Sequence, residues 1–400
     1  MSARPALFTP RFFLMCGFTF TVFLSLFQLL PTAPYRILEL GGDTFAAGLF
    51  LGFLTYASAL SAPFTGALAD RVGRRRTLVV ASLAIACFSV AYALARSTVV
   101  LLALVLAHGV FWSGLLSASA AYLTGLVPES RRAEGIAYWG LSTIFATAVA
   151  PALGLFIYRH GGWAWLCVSL LVLDLAMTGI ALSLEESREA GAVAASPAGG
   201  ARRLLDLVEW RVFAVALSLF LCSFGYGGIT SFVALYAEKN GIEPRSLYFT
   251  VFSAAVLVTR PFTGRLADRI GYVRILLPCF ACVAVAFALL AVAATRPLLA
   301  LSALFFGVGF GNLYPAFVAH VIRHVSEARR GAAFGGVLAA FDTGIGTGSI
   351  ALGWIIGRRG YGAAYAFACA LSTLAIPAFL FLDRKFLTPT EPRHLTPSAR

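Results

Sequence analysis

Three charged residues stand inside otherwise apolar stretches of this chain: Asp174, Arg260 and Asp342. A charge at mid-bilayer depth costs about 2.5–3.5 kcal/mol even on insertion scales, so its presence calls for chemistry or a partner. Asp342 lies about ten residues into its apolar run, a carboxyl placed to carry a proton or to sense the charge of a solute. The plainer alternative is a structural ion pair. Arg260 lies roughly one turn from the end of its run, where a guanidinium can also snorkel to the interface or bond carbonyls. Asp174 sits midway along another run, and His108, in a fourth, titrates near neutral pH unless it is a hydrogen-bonded structural group. These four are the candidates for proton coupling.

The runs that hold these residues are long. At 60% hydrophobic and 12% charged over 400 residues, the composition excludes an ordinary soluble domain, in which about a quarter of residues are charged. Crossing a ~30 Å hydrocarbon core takes about 20 helical residues. Twelve such runs are predicted, near 12–32, 44–66, 77–95, 98–126, 136–158, 162–184, 211–236, 247–266, 275–295, 298–323, 332–356 and 362–382. Within lipid every backbone polar group needs an internal partner, so each run is expected to be a helix. The first lacks a small-residue cleavage site and is read as a retained span rather than a signal peptide.

A stretch of thirteen residues occurs twice, GALADRVGRRRTL at Gly66–Leu78 and GRLADRIGYVRIL at Gly264–Leu276, displaced by 198 residues. The same offset aligns PESRRAEG at 128–135 with SEARRGAA at 326–333, Arg131 over Arg329. The chain is therefore read as a duplication. The expected organisation is a six-helix bundle at 1–184, a linker at 185–209 and a second bundle with tail at 210–400. The linker is rich in Ala, Gly, Ser and Pro, a flexible composition, with a short surface helix expected near 202–209.

The net charge of +13 is distributed by side. With both termini on one side, the loops there carry 22 Lys and Arg against 8 opposite, which predicts cytoplasmic termini. The basic excess is thus topology and contact with the lipid bilayer, and no nucleic-acid partner is expected. All seven cysteines fall in apolar runs. Cys279 and Cys282 have CxxC spacing without a second pair or His to complete a metal set, so they are read as small buried hydrophobes. No metal, cofactor or catalytic constellation is expected, and the chain is not read as an enzyme.

Twelve runs in two sixes, with G-x-L-A-D-R-x-G-R-R after the second and an echo after the eighth, resemble the major facilitator superfamily, across nearly the whole chain. The resemblance implies an all-α integral membrane fold of 12 transmembrane helices in two pseudo-symmetric six-helix bundles, with N- and C-termini cytoplasmic. It implies a gate built from the repeated loop. Gly66 and Gly264 would allow close helix approach, and Gly73 and Gly271 a sharp turn. Asp70 would face the start of span 11 and Asp268 the start of span 5, each carboxylate against a positive helix end. Arg71, Arg74, Arg75 and Arg269 would complete a latch with Glu129 and Glu327. The second copy carries Tyr272 and Val273 in place of Arg74 and Arg75, so its latch is expected to be weaker.

Span 5 contains Ala150, Pro151 and Gly154, similar in degenerate form to the family's antiporter motif at the interface of the halves, with plain packing as the alternative. Spans 1, 4, 7 and 10 line the family's cavity. They offer Thr21, Ser25 and Gln28; His108, Trp112, Ser113 and Ser117; Tyr226, Thr230 and Ser231; and Asn312 and Tyr314. This mixed polar and aromatic lining suits an uncharged or amphipathic small organic solute. Val105 and His108 stand where proton-coupled drug exporters carry an arginine and a glutamine, which puts the usual proton route in doubt.

The expected function is a secondary transporter of the sugar- or drug-efflux-like branch, a monomer in a prokaryotic inner membrane exporting a small-molecule solute in exchange for protons. The alternatives are a proton-coupled importer and a non-transporting receptor or scaffold on the same fold.

Overall fold

A computed structural model describes residues 7–186, 209–326 and 329–387. Nearly all of the expected linker, with its surface helix near 202–208, therefore lies outside the described residues, as do Glu327 and the tail beyond 387. Among the described residues there is no strand. Ten α-helices follow in order: α1 Pro10–Glu39, α2 Thr44–Val72, α3 Arg74–Leu94, α4 Thr98–Leu126, α5 Arg132–Ser183, α6 Trp210–Lys239, α7 Leu247–Ile270, α8 Tyr272–Ala291, α9 Arg296–Arg323 and α10 Arg330–Phe386. Nine are long and apolar enough to cross a bilayer; α7, which bears Arg260, Arg265, Asp268 and Arg269, is not among them.

Several helix starts are set by local chemistry. Thr9, Asp43 and Ser97 each accept a hydrogen bond from a backbone N–H in the first turn of α1, α2 and α4, supplying a partner to an otherwise orphaned donor. Pro10 opens α1, where its missing N–H costs nothing.

The expected fifth and sixth spans are one element, α5, interrupted by a non-helical backbone at Gly162 (φ 72°, ψ −171°). The eleventh and twelfth are likewise α10, broken at Gly360 (φ 83°, ψ 173°). A single left-handed glycine redirects the chain here in place of a loop. The two breaks are 198 residues apart, as are Gly73 (φ 106°) and Gly271 (φ 93°), which join α2 to α3 and α7 to α8. The duplication thus extends to backbone conformation.

Helices α1 to α5 pack mainly on one another, and so do α6 to α10. The two repeats meet where α2 crosses α10, α1 meets α6 and α5 meets α7. Arg11 pairs with Glu185 and Glu186 lies beside Gly73, so the start of α1, the end of α5 and the Gly73 turn share one end of the molecule, here the near end.

At the far end the α2–α10 crossing is interlocked. Thr44 Oγ1 donates to the Gly353 carbonyl at 2.7 Å, Ser349 Oγ donates to the Gly48 carbonyl at 3.0 Å, and Tyr56 Oη bonds Thr347 Oγ1 at 2.6 Å. Methyl groups on Gly48, Gly52, Gly346 or Gly353 would run into the opposite helix. Arg159 and Glu243 also join the repeats at 2.8 Å, but both are about half exposed. Such a pair contributes about 0–1 kcal/mol, so close helix packing carries this closure.

Small residues also let α10 settle on α6, where a Cβ on Gly348 would strike the carbonyl of Phe224. Replacing Gly348 by Val is expected to cost about 1–3 kcal/mol by overpacking. The measurement is the unfolding temperature of the detergent-purified protein. Gly140→Ala and Gly179→Ala, where an added Cβ meets nothing within 4 Å, should leave it unchanged. A Gly348→Val protein as stable as these two would refute the packing argument.

Candidate functional site

The repeated loops lie at the near end, and their contacts differ from those the sequence suggests. Arg74 donates to the Ala121 carbonyl at 2.8 Å and Arg75 to the Leu182 carbonyl at 2.8 Å, both within the first repeat. Asp70 and Arg71 have no hydrogen bond or ion pair among the described residues, so the expected bond from Asp70 to the start of α10 is not made. Asp268 does not face the start of α5; it accepts from the Tyr272 hydroxyl at 2.9 Å and from Arg323 at 3.2 Å, while Arg323 also covers the Tyr272 ring. Arg269 has no partner of its own among the described residues. The close approach expected at Gly66 and Gly264 is absent too, since a Cβ there would meet nothing within 4 Å. One physical reason covers these differences: the repeats interlock at the far end, and the surfaces these groups would face at the near end are not against them.

Asp342 projects from the first arm of α10 without a hydrogen bond or ion pair among the described residues. The Tyr314 phenol is within electrostatic reach of it. Tyr314 packs on Phe341 with ring centroids 4.7 Å apart, and the contact continues through Phe310 to Phe306 and Tyr226, the last 4.6 Å from Phe310. A free carboxyl therefore adjoins a continuous aromatic wall. Arg260 has no ion pair with Asp342 and no other partner among the described residues. It opens instead into a cleft of about 230 Å³ between α7 and α9, lined also by Asn312 and Tyr272.

The other two proton candidates come together inside the first repeat. Asp174, fully buried, accepts from the Ser89 hydroxyl at 2.6 Å through one carboxylate oxygen, and its other oxygen has no partner. It shares a small cavity of about 10 Å³ with Ser25, His108 and Trp112. His108 Nδ1 bonds the Tyr92 hydroxyl at 3.1 Å and the ring stacks on Phe88. Asp174, on the second arm of α5, therefore lies in the interior of the first repeat. Intramembrane polar groups call for partners: Ser89 meets half of that demand for Asp174, and Tyr92 meets it for His108 Nδ1.

The remaining cavity candidates divide by partner. Thr21 and Thr230 bond carbonyls of their own helices, Thr21 to Gly17 and Phe18, Thr230 to Tyr226. Gln28 accepts from Ser169 at 3.1 Å, and Ser113 bonds Thr65 at 3.1 Å. Ser231 bonds Ser349. Ala150 packs on Leu24, and a Cβ on Gly154 would strike Gln28 of α1. The Ala150-Pro151 to Gly154 stretch therefore seats α5 on α1 within one repeat. One buried pair escaped the sequence reading altogether: His320 of α9 and Asp383 of α10, 2.7 Å apart and both nearly inaccessible. Asp383 falls just past the last predicted run, where a charge attracts no notice.

Comparison with known proteins agrees with this architecture. The Major Facilitator Superfamily profile matches residues 12–245 and 215–399. An uncharacterized MFS-type transporter of Escherichia coli K12, YhhS, is 26% identical over 368 residues, covering 90% of this chain and 89% of its own. Its counterpart in Salmonella typhimurium is 25% identical over the same length. Among solved structures, the nucleoside transporter NupG superimposes with a TM-score of 0.73 at 16% identity, covering 94% of this chain and 99% of its own. A D-xylose-proton symporter gives 0.72 at 18% identity, covering 94% and 96%. With the paired glycine turns, the helical breaks and a family match over nearly its whole length, this multi-pass membrane chain belongs to the major facilitator superfamily, a family of transporters and not of enzymes.

Proposed function

We propose that the chain is a proton-coupled secondary transporter that exports a small organic solute by alternating access. The two arms of α5 and of α10 each count as a span, giving twelve in two bundles of six, with both termini in the cytoplasm and the protein acting as a monomer in the inner membrane. The single observation that carries this reading is the one-sided closure: the repeats interlock at the far end while Asp70 and Arg71 at the near end stand without partners. The latch of Asp70, Arg71 and their echoes Asp268 and Arg269 then forms in the opposite state, when the near end shuts.

Asp342 supplies the coupling. A carboxyl that no protein cation neutralises is held charged only at a cost, so it exchanges its proton according to which side the cavity faces. Solute and proton bind alternately beside the aromatic wall of Tyr226, Phe310 and Phe341. The direction rests on the likeness of Ala150, Pro151 and Gly154 to antiporter sequences. An importer is the second reading, favoured by the fold likeness to a D-xylose-proton symporter.

Flux in reconstituted vesicles with an imposed pH gradient tests this. Replacing Asp342 by Asn is expected to lower gradient-driven flux by about tenfold or more, equivalent to about 1.4 kcal/mol, while solute counterflow persists. Equal pH dependence in variant and wild type would remove Asp342 from coupling. Uphill accumulation into vesicles acidic inside, entering from the cytoplasmic face, supports export; symport with the proton supports the importer.

For Asp70→Asn the expectation is a slower transport rate with an unchanged unfolding temperature, because the bond it removes is absent from the state described here. A variant that transports like wild type would dismiss the latch.

A further inference from the structure

The duplication provides an internal comparison for the cleft between α7 and α9. The 198-residue offset holds at Pro63-Phe64-Thr65 against Pro261-Phe262-Thr263, through the repeated loop, at the starts of α4 and α9 and at the loop after them, so positions along this segment correspond one to one. Arg260 then corresponds to Ala62, Asn312 to Gly114, Tyr272 to Arg74 and Ala319 to Ala121. In the first repeat, Arg74 reaches across to bond the Ala121 carbonyl at 2.8 Å, so a side chain spans the corresponding gap. In the second repeat Tyr272 is turned to Asp268 and Arg323, Ala319 is left lining the wall, and a cleft of about 230 Å³ opens. The fold accommodates Ala, Gly and Arg at these positions, since the first repeat has them. The polar pair in the second repeat therefore calls for a reason other than folding.

What the cleft offers is specific. Arg260 presents a guanidinium with no partner among the described residues. Asn312, 2% exposed, donates through Nδ2 to Thr259 Oγ1 and to the Val308 carbonyl, both at 2.8 Å. Those two acceptors fix the amide orientation and leave Oδ1 buried without a donor. An unmet buried acceptor carries a desolvation cost that a ligand donor would remove; Oδ1 is closed to a water-sized group as the cleft stands, so a ligand donor meets it when the side chains around it give way. The guanidinium, with its fork of donors, matches a carboxylate.

The geometry points to a subsite for an organic anion bearing a hydrogen-bond donor next to its charge, a hydroxy- or amino-carboxylate, with Arg260 on the carboxylate and Asn312 Oδ1 on the donor. This names the solute class of the transporter proposed above and rests on that reading for its role in transport. Binding itself is independent of it.

The test compares three probes on the full-length protein purified in detergent, read by thermal unfolding and calorimetry: mandelate, phenylacetate, which lacks the hydroxyl, and mandelamide, which lacks the charge. The wild type should bind mandelate best, phenylacetate less well and mandelamide not measurably. Arg260→Ala, which installs the first repeat's residue, should weaken mandelate by about tenfold or more. Asn312→Gly should make mandelate and phenylacetate equivalent, and Tyr272→Arg should close the cleft and abolish both. Equal binding of mandelate and mandelamide, no binding of any probe by the wild type, or undiminished mandelate affinity in Arg260→Ala would each overturn the subsite. Proton-driven flux assayed in parallel separates the two claims. Probe binding without any transport leaves the subsite standing and removes the transport reading; transport without carboxylate binding does the reverse.

Discussion

The structure depends on how closely two backbones can approach where α2 crosses α10. Gly48, Gly52, Gly346 and Gly353 remove the side chains that would hold the helices apart, and Thr44 and Ser349 then reach carbonyls of the opposite helix. Between two helices in lipid there is no hydrophobic driving force, so dispersion at short range and such hydrogen bonds must supply the attraction. The contact occupies the far-end half of α2 and of the first arm of α10, so it closes one end of the molecule. On the alternating-access reading proposed above, rocking of one repeat against the other would exchange it for a contact at the near end.

The duplication also shows where the two repeats differ. Where both repeats turn they keep glycine, at Gly73 and Gly271 and again at Gly162 and Gly360. At other positions the copies diverge. Ile144 in the first repeat corresponds to Asp342 in the second, and Ala62 to Arg260. The first repeat buries its own polar group, Asp174, against Ser89 in a cavity too small for a solute. Among the described residues both repeats keep buried polar atoms without partners, Gln28 Nε2 and Asp174 Oδ1 in the first and Asn312 Oδ1 in the second.

Much of the architecture was legible because it is written locally. Apolar runs of span length dictate helices, N-cap residues mark their starts, and a glycine between polar residues marks a turn. The breaks inside α5 and α10 were legible as gaps between predicted runs, marked by Arg159, His160 and the Gly161-Gly162 pair and by Arg358, Arg359 and Gly360; what composition did not show is that one non-helical glycine makes each break, with helix on both sides of it. Side-chain partnerships between helices were the least legible. Nothing near Asp174 in the chain indicates Ser89, and the family's closed-state contacts for Asp70 do not describe the state seen here. The Arg260 and Asn312 pair could have been noticed by aligning the repeats position by position, which reveals Ala62 and Gly114 opposite them.

The most direct test is a pair of inter-repeat distances measured by electron spin resonance. One pair of labels would replace Val72 and Phe334 at the near end, and the other the exposed Phe45 and Arg359 at the far end, in the full-length protein in lipid nanodiscs. The account requires the near-end pair to be long when the far-end pair is short, with both reversing together as pH changes, and with Asp342→Asn holding one fixed ratio of the two populations. A single distance at each end, indifferent to pH in the wild type, would contradict it.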